Sequence, residues 1–274
     1  MAEKTETPKD LVPPEVRENM KEIKHKIIIL SGKGGVGKTT VATNLAISFA
    51  KKGLQSGLLD VDIYGPNVPK LLGLEGQHPM VGENRIHPII GPSNVKVMSM
   101  GFLLRNRDDA VAWRGPLVAR VINQFLSDVE WGKVDTLVVD LPPGTGDEIL
   151  SILQLIPDID GVCIVTTPQD VAVLDARRAV QLVQKMNVPV LGIIENMTKF
   201  VCPECGKSYS IFGSGFASQA SKDYNVDYLV GLPLDPRVTE LSDKGTPFVS
   251  DDKSSDVSQA FDELVEKLSK KIGI

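Results

Sequence analysis

The sequence feature that most constrains this chain is a glycine-rich run that follows a short apolar segment. Apolar residues at 27–30 lead into the run, and a helical pattern begins after it. The order matches GxxxxGK(S/T) in the strand–loop–helix context that a phosphate-binding loop needs. Glycines let the backbone curl around a phosphate with its N–H groups pointing inward. The residues expected to contact a nucleotide are Gly32, Lys33, Gly34, Gly35, Val36, Gly37, Lys38, Thr39 and Thr40.

Two side chains at the end of this run carry most of its predicted chemistry. Lys38 is expected to lie along the β- and γ-phosphates of ATP, and the Thr39 hydroxyl to complete the coordination of Mg²⁺. The N-terminus of the next helix adds partial positive charge toward the anion. The alternative is a glycine-rich turn that binds no ligand.

Two further apolar runs end in acidic residues. Asp140 follows 137–139, and Asp60 and Asp62 follow 57–59. Because the carboxyl ends of parallel strands share one edge of a sheet, these carboxylates are expected beside the loop. Asp140 is predicted to hold Mg²⁺ directly or through water, before a rigid turn at 141–146 that senses the γ-phosphate. One of the other two carboxylates would orient the attacking water, unless both are solvated loop acids.

Apolar runs and segments of helical period alternate along most of the chain. This alternation predicts an α/β fold, a single-domain three-layer P-loop NTPase with a mostly parallel central sheet. We expect the domain to span 25–274 and residues 1–24 to form a flexible N-terminal arm. The predicted strands are 26–31, 56–60, 95–99, 136–140, 161–167, 190–195 and 228–231. The predicted helices are 38–52, 116–129, 147–155, 171–186, 216–224 and 257–272.

A cysteine pair lies in a predicted metal-binding insert near 197–213. Cys202 and Cys205 have the C-x-x-C spacing with which one turn grips a metal, and the chain has no second pair. Two thiolates are half of a four-thiolate site, so a two-fold dimer would complete it. Zinc and a 4Fe-4S cluster both suit four sulfurs, and a redox pair or an inert turn are the alternatives. Cys163, inside an apolar run, is expected to be a buried core residue.

The charge balance limits the partners of this chain. Thirty basic and 35 acidic side chains give a net charge of −5, which argues against a broad nucleic-acid-binding surface. No apolar run approaches the ~20 residues of a membrane-spanning helix, and the first residues lack the apolar core of a signal peptide. We therefore expect no nucleic-acid partner, no membrane association and a cytoplasmic location.

Lys33 stands unusually early in the glycine-rich run. Lys38 already serves the phosphates, so a second lysine needs another anionic partner or stays solvated. The run GKGGVGKTT resembles the deviant phosphate loop of the MinD and nitrogenase-iron-protein class of ATPases. That resemblance implies that Lys33 extends across a face-to-face dimer to the nucleotide of the partner subunit.

Over about 26–271 the chain resembles the Mrp/ApbC family of iron–sulfur cluster carrier ATPases. The motifs that carry the resemblance are the deviant loop, DVDIYGPN at 60–67, WRGP at 113–116, DLPPGTGD at 140–147 and CPEC at 202–205. The resemblance implies a homodimer that binds ATP, bridges a 4Fe-4S cluster through the cysteine pair and delivers it to apoproteins. It further implies that Asn196 faces the adenine with Pro233 nearby, and that Asp62 activates the attacking water.

Two other classes use a similar loop. A MinD- or ParA-type positioning ATPase, with a structural zinc bridged by the cysteine pair, is the main alternative. Membrane attachment would require a basic amphipathic terminal helix, whereas the predicted last helix has nearly balanced charges. A metabolic kinase or synthetase would need a substrate pocket and no thiolates.

Overall fold

The computed structural model describes residues 12–83, 85–104, 115–251 and 255–274, and of residues 115, 116 and 251 only the backbone. The strands in these ranges are β1 (Ile23–Ser31), β2 (Ser56–Asp60), β3 (Met80–Val81), β4 (Ile86–His87), β5 (Ile89–Ile90), β6 (Lys96–Ser99), β7 (Val134–Asp140), β8 (Gly161–Thr166), β9 (Val190–Val201), β10 (Ser208–Tyr209) and β11 (Tyr228–Leu234). The helices are α1 (Pro14–Met20), α2 (Lys38–Lys51), α3 (Val68–Leu71), α4 (Gly115–Ser127), α5 (Asp147–Leu155), α6 (Asp170–Lys185), α7 (Phe216–Asp223), α8 (Pro236–Asp243), α9 (Phe248–Asp251) and α10 (Asp256–Ile272).

Within the described ranges, nine strands form one sheet. Its order is β10-β9-β8-β1-β7-β2-β6-β5, and β11 also pairs with β9. The pairings are parallel except for β10 with β9 and β5 with β6. A separate antiparallel pair joins β3 to β4. The α/β fold with a mostly parallel central sheet is therefore confirmed.

The central strands are buried on both faces. Every residue of β2 and β8 is buried, as is 26–31 of β1. Helix α2 contacts β1, β2 and β7, and α10 packs against α2 and β11. Helix α6 packs against β1, β8 and β9 and also contacts α7. Continuous apolar strands covered by helices are the expected pattern of a parallel sheet.

The predicted strands and helices are all present, with small differences at their ends. The largest difference is in the strand predicted at 190–195, which the structure extends to Val201 as β9. The additional residues pair with β10 and β11, and these pairings are not visible in a local apolar pattern. The short elements α1, α3, α8, α9, β3, β4, β5 and β10 were not predicted, because each has too few apolar positions to show a period.

The prediction of a flexible arm at 1–24 is wrong for residues 12–24. Val12, Val16 and Met20 are buried on one side of this segment, and α1 packs against α4. The Asn19 amide donates hydrogen bonds of 2.8 and 2.9 Å to the carbonyls of Leu126 and of Val129. Three apolar residues at spacing four were too few to stand out among the charges of this segment. Residues 1–11 of the predicted arm lie outside the described residues.

No helix in the described part of the chain is both long enough and apolar enough to span a bilayer.

Candidate functional site

The strand order brings the phosphate loop and the predicted carboxylates to one edge of the sheet. Strand β7 lies between β1 and β2. Its last residue, Asp140, is opposite Ile29 of β1 on one side and opposite Asp60 of β2 on the other. The loop follows β1 directly, so its residues and both acidic strand ends share the carboxyl edge. Ligands of open α/β sheets bind at this edge.

The glycines of the loop meet two separate geometric requirements. Gly35 and Gly37 have φ angles of +80° and +83°, a region that residues with a Cβ rarely adopt. Gly32 instead lies against α6, where an added Cβ would come within 2.2 Å of the Asp175 carbonyl group. The loop is therefore held against α6 as well as leading into α2.

Lys38 is the buried cation of this edge. Its Nζ lies 2.7 Å from Oδ1 of Asp140, 3.6 Å from Oδ2 of Asp62 and 3.3 Å from Oγ1 of Thr39. Burial raises the pKa of the Asp140 carboxyl, and the Lys38 ammonium acts against that shift. The structure thus places three other predicted residues around the Lys38 ammonium group.

The donor set around Asp140 suits a hard divalent cation. Oδ2 of Asp140 is buried and has no hydrogen-bond partner within the described residues. An unpartnered buried carboxylate oxygen is costly unless something neutralises it. Together with the Thr39 hydroxyl, it supplies the oxygen ligands that Mg²⁺ prefers.

Asp62 lies at the start of the segment that leaves β2. Its Oδ1 accepts a 3.2 Å hydrogen bond from the Gly65 backbone N–H, which leaves Oδ2 facing Lys38. One residue before Gly65, the exposed Tyr64 hydroxyl donates a 2.8 Å hydrogen bond to Glu148 of α5. The segment after β2 is therefore tied to the helix that follows the turn at 141–146.

Asp60 is a fully buried acid beside this site. Burial and the neighbouring Asp140 raise the pKa of Asp60 to about 8. The Ser99 hydroxyl at 2.7 Å and the Asp62 backbone N–H at 3.0 Å donate hydrogen bonds to it and act in the opposite direction. Asp60 therefore anchors the backbone of Asp62 to the end of β6. The sequence pattern gave no signal for the role of Ser99, because its position depends on strand order.

Lys33 is half-buried at the beginning of the loop. Its carbonyl accepts a 2.9 Å hydrogen bond from the Ser31 hydroxyl, and its ammonium makes no ion pair within the described ranges. The assignment of Lys33 to a partner's nucleotide stays a prediction.

Asn196, in the middle of β9, lies against the phosphate loop. Its Nδ2 donates a 2.9 Å hydrogen bond to the Val36 carbonyl, and its Oδ1 accepts a 3.0 Å hydrogen bond from the Met197 backbone N–H. A cavity of about 220 Å³ opens beside it, and Pro233 is among its lining residues. Other residues that line this cavity are Gly37, Thr40, Val238, Thr239, Phe248 and Phe261. The cavity continues from the loop, which is where the base of a bound nucleotide is expected.

The cysteine pair forms the tip of the hairpin that joins β9 to β10 at one end of the sheet. Ser208 pairs with Val201 at the base of this hairpin, and Cys202 exchanges backbone contacts with the far strand. The Cys202 N–H donates to the Lys207 carbonyl at 3.0 Å, and the Cys202 carbonyl accepts from the Gly206 N–H at 2.9 Å. Gly206 has a φ of +69°, which closes the turn. We call residues 200–209 the cysteine hairpin.

The two hairpin thiols are accessible, whereas the third thiol of the chain is buried. Cys205 is exposed and Cys202 is partly exposed. Hydrogen bonds from the backbone N–H groups of Cys205 and Glu204 lower the pKa of Cys202. Cys163 is buried in β8, where burial raises the pKa of its thiol to about 12. The prediction that Cys163 is a core residue is confirmed.

The cysteine hairpin carries too few ligands to close a metal site by itself. Among the described residues, no group of three or more His, Cys, Asp or Glu side chains is placed to hold a metal ion. Large apolar side chains are exposed on and near the hairpin, namely Val201, Tyr209, Ile211 and Phe216. Exposed apolar surface beside an incomplete ligand set is typical of an interface.

The fold and the loop define the class, which is that of the P-loop NTPases. A ParA family model described as the NUBPL iron-transfer P-loop NTPases matches residues 22–269. The chain belongs to this family, and the sequence-based resemblance to iron–sulfur cluster carrier ATPases is confirmed.

Several relatives are named iron-sulfur cluster carrier protein. The one from Methanocaldococcus jannaschii is 51% identical over 257 residues, which are 94% of this chain and 88% of the relative. The one from Pyrococcus horikoshii is 43% identical over 273 residues, which are 96% of this chain and 92% of the relative.

Solved structures show the same fold. A nucleotide-binding protein in complex with ADP from Archaeoglobus fulgidus has a TM-score of 0.76 and 37% identity, and the match covers 88% of this chain and 92% of that one. The cell division ATPase MinD of Pyrococcus furiosus has a TM-score of 0.67 and 25% identity, and covers 90% and 99%.

The structure gathers the predicted site residues into two places. The loop, Asp62, Asp140, Asn196 and Pro233 surround one edge of the sheet and its cavity, while Cys202 and Cys205 lie on the hairpin beyond it. Within the WRGP motif, Trp113 and Arg114 lie outside the described residues. Sequence reasoning missed Ser99 and the Asn196–Val36 contact. It also missed the Tyr64–Glu148 hydrogen bond.

Proposed function

We propose that this chain binds and hydrolyses ATP and carries a labile 4Fe-4S cluster that it delivers to apoproteins. The observation that carries this proposal is the contrast between one complete phosphate loop and one exposed two-thiol hairpin in the same chain. The names of the two relatives support iron–sulfur cargo. The ADP complex of the Archaeoglobus fulgidus protein supports an adenine nucleotide.

The nucleotide chemistry is assigned to residues at the carboxyl edge of the sheet. Loop N–H groups and Lys38 bind the phosphates, and Thr39 and Asp140 hold Mg²⁺, which would neutralise charge on the β- and γ-phosphates. Asp62 orients a water toward the γ-phosphorus, so that ADP and inorganic phosphate are released. This role of Asp62 is supported by the position of its Oδ2, which lies 3.6 Å from the Lys38 ammonium.

The cluster requires a second copy of the chain. A homodimer brings two cysteine hairpins together and supplies four thiolates. The exposed apolar side chains around the hairpin support this interface. Lys33, which has no ion-pair partner within the described ranges, would then reach the nucleotide of the other subunit.

Accessible ligands make the cluster easy to surrender. Each subunit contributes only two thiolates, and both lie at a hairpin tip rather than in the core. The lowered pKa of Cys202 favours the thiolate that binds iron. A recipient's own cysteines can therefore approach and replace these ligands one at a time.

Anaerobic reconstitution with iron and sulfide tests the cargo. A cluster shared by two subunits gives about two iron atoms per chain and a brown colour. The Cys202→Ser and Cys205→Ser variants should lose iron and colour but still bind ATP. About half a zinc atom per chain without visible absorption would contradict the proposal and favour a structural zinc in a positioning ATPase.

Cluster transfer tests the coupling to ATP. The Asp62→Ala variant, loaded with cluster, should deliver it to an apo-ferredoxin without the stimulation by Mg-ATP seen for the unmodified protein. Equal transfer by the two proteins with ATP would remove ATP hydrolysis from the carrier function and leave the cluster site standing.

A further inference from the structure

Strand β9 touches the phosphate loop and then runs into the cysteine hairpin. Asn196, in the middle of the strand, donates its amide to the Val36 carbonyl at 2.9 Å. Cys202 follows the last residue of the same strand. Only five residues of one backbone thus separate Asn196, which contacts the phosphate loop, from the thiol of Cys202.

This part of β9 is a bulge. Leu232 of β11 faces Asn196, but Leu234 faces Phe200, so four steps on β9 match two steps on β11. Met197 has a φ of +59°, in the left-handed region that non-glycine residues rarely adopt. Such a conformation persists only where neighbouring contacts hold it, and it is a common feature of functional switches.

Three hydrogen bonds hold the bulge in place. The Asn196 amide makes two of them, to the Val36 carbonyl on the loop side and from the Met197 N–H on the strand side. The third comes from the Thr198 hydroxyl, which donates to the Leu232 carbonyl at 3.1 Å. A movement of the loop at Val36 would therefore change the position of Asn196 and of the adjacent Met197. Through Thr198 it would also change the pairing of β9 with β11.

The end of β11, which pairs with the bulge, lines a cavity at each of the two sites. Pro233 and Leu234 line the 220 Å³ cavity beside the loop. The same two residues line a second cavity of about 430 Å³, whose lining also includes Phe200 and Pro203 of the cysteine hairpin. The end of β11 is therefore a shared wall between the cavity expected to take the base and the side of the hairpin.

We propose that the bulge at 196–198 couples nucleotide at the phosphate loop to the position of Cys202 and Cys205. Nucleotide fixes the Val36 carbonyl, Asn196 transmits that position to Met197, and Thr198 carries it to the hairpin. Asn196 and Thr198 are positioning residues for the thiols. This coupling rests on the proposed function, and by linkage a ligand bound at the thiols changes nucleotide affinity by the same factor.

Thiol alkylation of the metal-free chain tests the coupling without any cluster. Iodoacetamide labelling of Cys202 and Cys205 is followed by mass spectrometry with and without saturating Mg²⁺ and a slowly hydrolysed ATP analogue. We expect the analogue to change the labelling rate of the hairpin thiols by about fivefold or more, in keeping with usual coupling between sites. Buried Cys163 is the internal reference for an intact fold.

Variants of Thr198 isolate the bulge from nucleotide binding. Thr198→Val removes the hydroxyl that bonds to Leu232, and we expect the effect of the analogue to fall below about twofold. Thr198→Ser keeps the hydroxyl and should keep the effect. Thr198 does not line the cavity beside the loop, so analogue affinity should be unchanged in both variants.

Two outcomes overturn the coupling. One is the absence of any effect of the analogue on the unmodified chain, and the other is an equal effect in Thr198→Val. If Thr198→Val also exposed Cys163, Thr198→Ala would replace it, since alanine also lacks the hydroxyl that donates to Leu232 and is smaller than valine. Iron loading is measured separately, so failure of the coupling and failure of the cluster proposal are distinguishable.

Discussion

The phosphate site and the cysteine hairpin hold their functional groups in opposite environments. Lys38 is 6% exposed and Asp140 is fully buried, whereas Cys205 lies in open solvent. The phosphate site is assembled from four strand ends and two helices, but the hairpin from one chain reversal. A reaction on phosphate needs preorganised charges away from water, whereas a ligand that must be handed over needs access from outside. The geometry of the phosphate site therefore depends on the packing of the whole domain, whereas the geometry of the cysteine hairpin depends mainly on its own turn.

The largest expected effect comes from removing the buried Lys38 ammonium of the phosphate site, which should nearly abolish ATP turnover and leave the cysteine hairpin intact. We expect Lys38→Ala to lower ATP turnover by about 1000-fold, because a preorganised charge in a buried site is lost. Its iron loading should be unchanged. Turnover is measured by phosphate release, and iron by metal analysis after reconstitution.

The matched control for this variant is the residue that caps the C-terminus of the same helix. Lys52 is partly exposed and, among the described residues, its ammonium pairs with Asp262 at 4.0 Å, so Lys52→Ala should keep full turnover. Loss of iron in Lys38→Ala, or loss of ATP binding in Cys202→Ser, would mean that the two regions are not separable.

Adding one methyl group to a glycine of each region should give unequal losses of stability. Gly32→Ala places a Cβ within 2.2 Å of the Asp175 backbone, and we expect about 3 kcal/mol of destabilisation from the resulting strain. Gly206→Ala meets no atom within 4 Å and suffers only from its φ of +69°, which should cost about 1 kcal/mol. Urea unfolding measures both.

Gly34→Ala serves as the control within the loop. An added Cβ there has no atom within 4 Å, so the free energy of unfolding should change by less than about 1 kcal/mol. Equal losses for Gly32→Ala and Gly34→Ala would show that the contact with α6 does not hold the loop.

The buried acid behind the phosphate site should make stability fall as pH rises. The pKa of Asp60 is about 8 in the folded chain, against about 3.9 in an unfolded one. Between these values the folded state holds a proton that the unfolded state has released, so each pH unit lowers the free energy of unfolding by up to about 1.4 kcal/mol. We expect a loss of about 1 kcal/mol between pH 6 and pH 7.

Asp60→Asn isolates this contribution. Asparagine keeps an acceptor for the Asp62 backbone N–H, and its unfolding free energy should lack that part of the pH dependence. Urea unfolding in the presence of EDTA and without nucleotide compares the two proteins. The same pH slope in both would show that Asp60 is ionised throughout this range.

Changing the exposed thiols should have the smallest effect on stability. Cys202→Ser and Cys205→Ser each replace a side chain outside the core, so the free energy of unfolding should change by less than about 0.5 kcal/mol. The unfolding curve of the metal-free chain checks this expectation. A loss above 2 kcal/mol would mean that the hairpin is part of the folding core.

The features that were predicted correctly share one property, which is that neighbouring residues encode them. The loop at 32–40, the buried strand of Cys163 and the C-x-x-C turn each occupy a short continuous segment. Their patterns reflect local geometry, namely backbone curvature, strand alternation and the reach of two thiols. The arm was mispredicted for residues 12–24 because its burial depends on α4, about a hundred residues away.

Sequence alone determined the phosphate loop, the order of the main strands and helices and the C-x-x-C pair of thiols. Tertiary structure decided that Ser99 supports Asp60, that Gly32 contacts α6, and that Asn196 bonds to Val36 across 160 positions of chain. The physical reason is that a sheet places residues side by side according to strand order and register, and both are set by packing of the whole domain. Chemistry that one turn can supply is visible in a local pattern, whereas contacts between turns exist only once the sheet has formed.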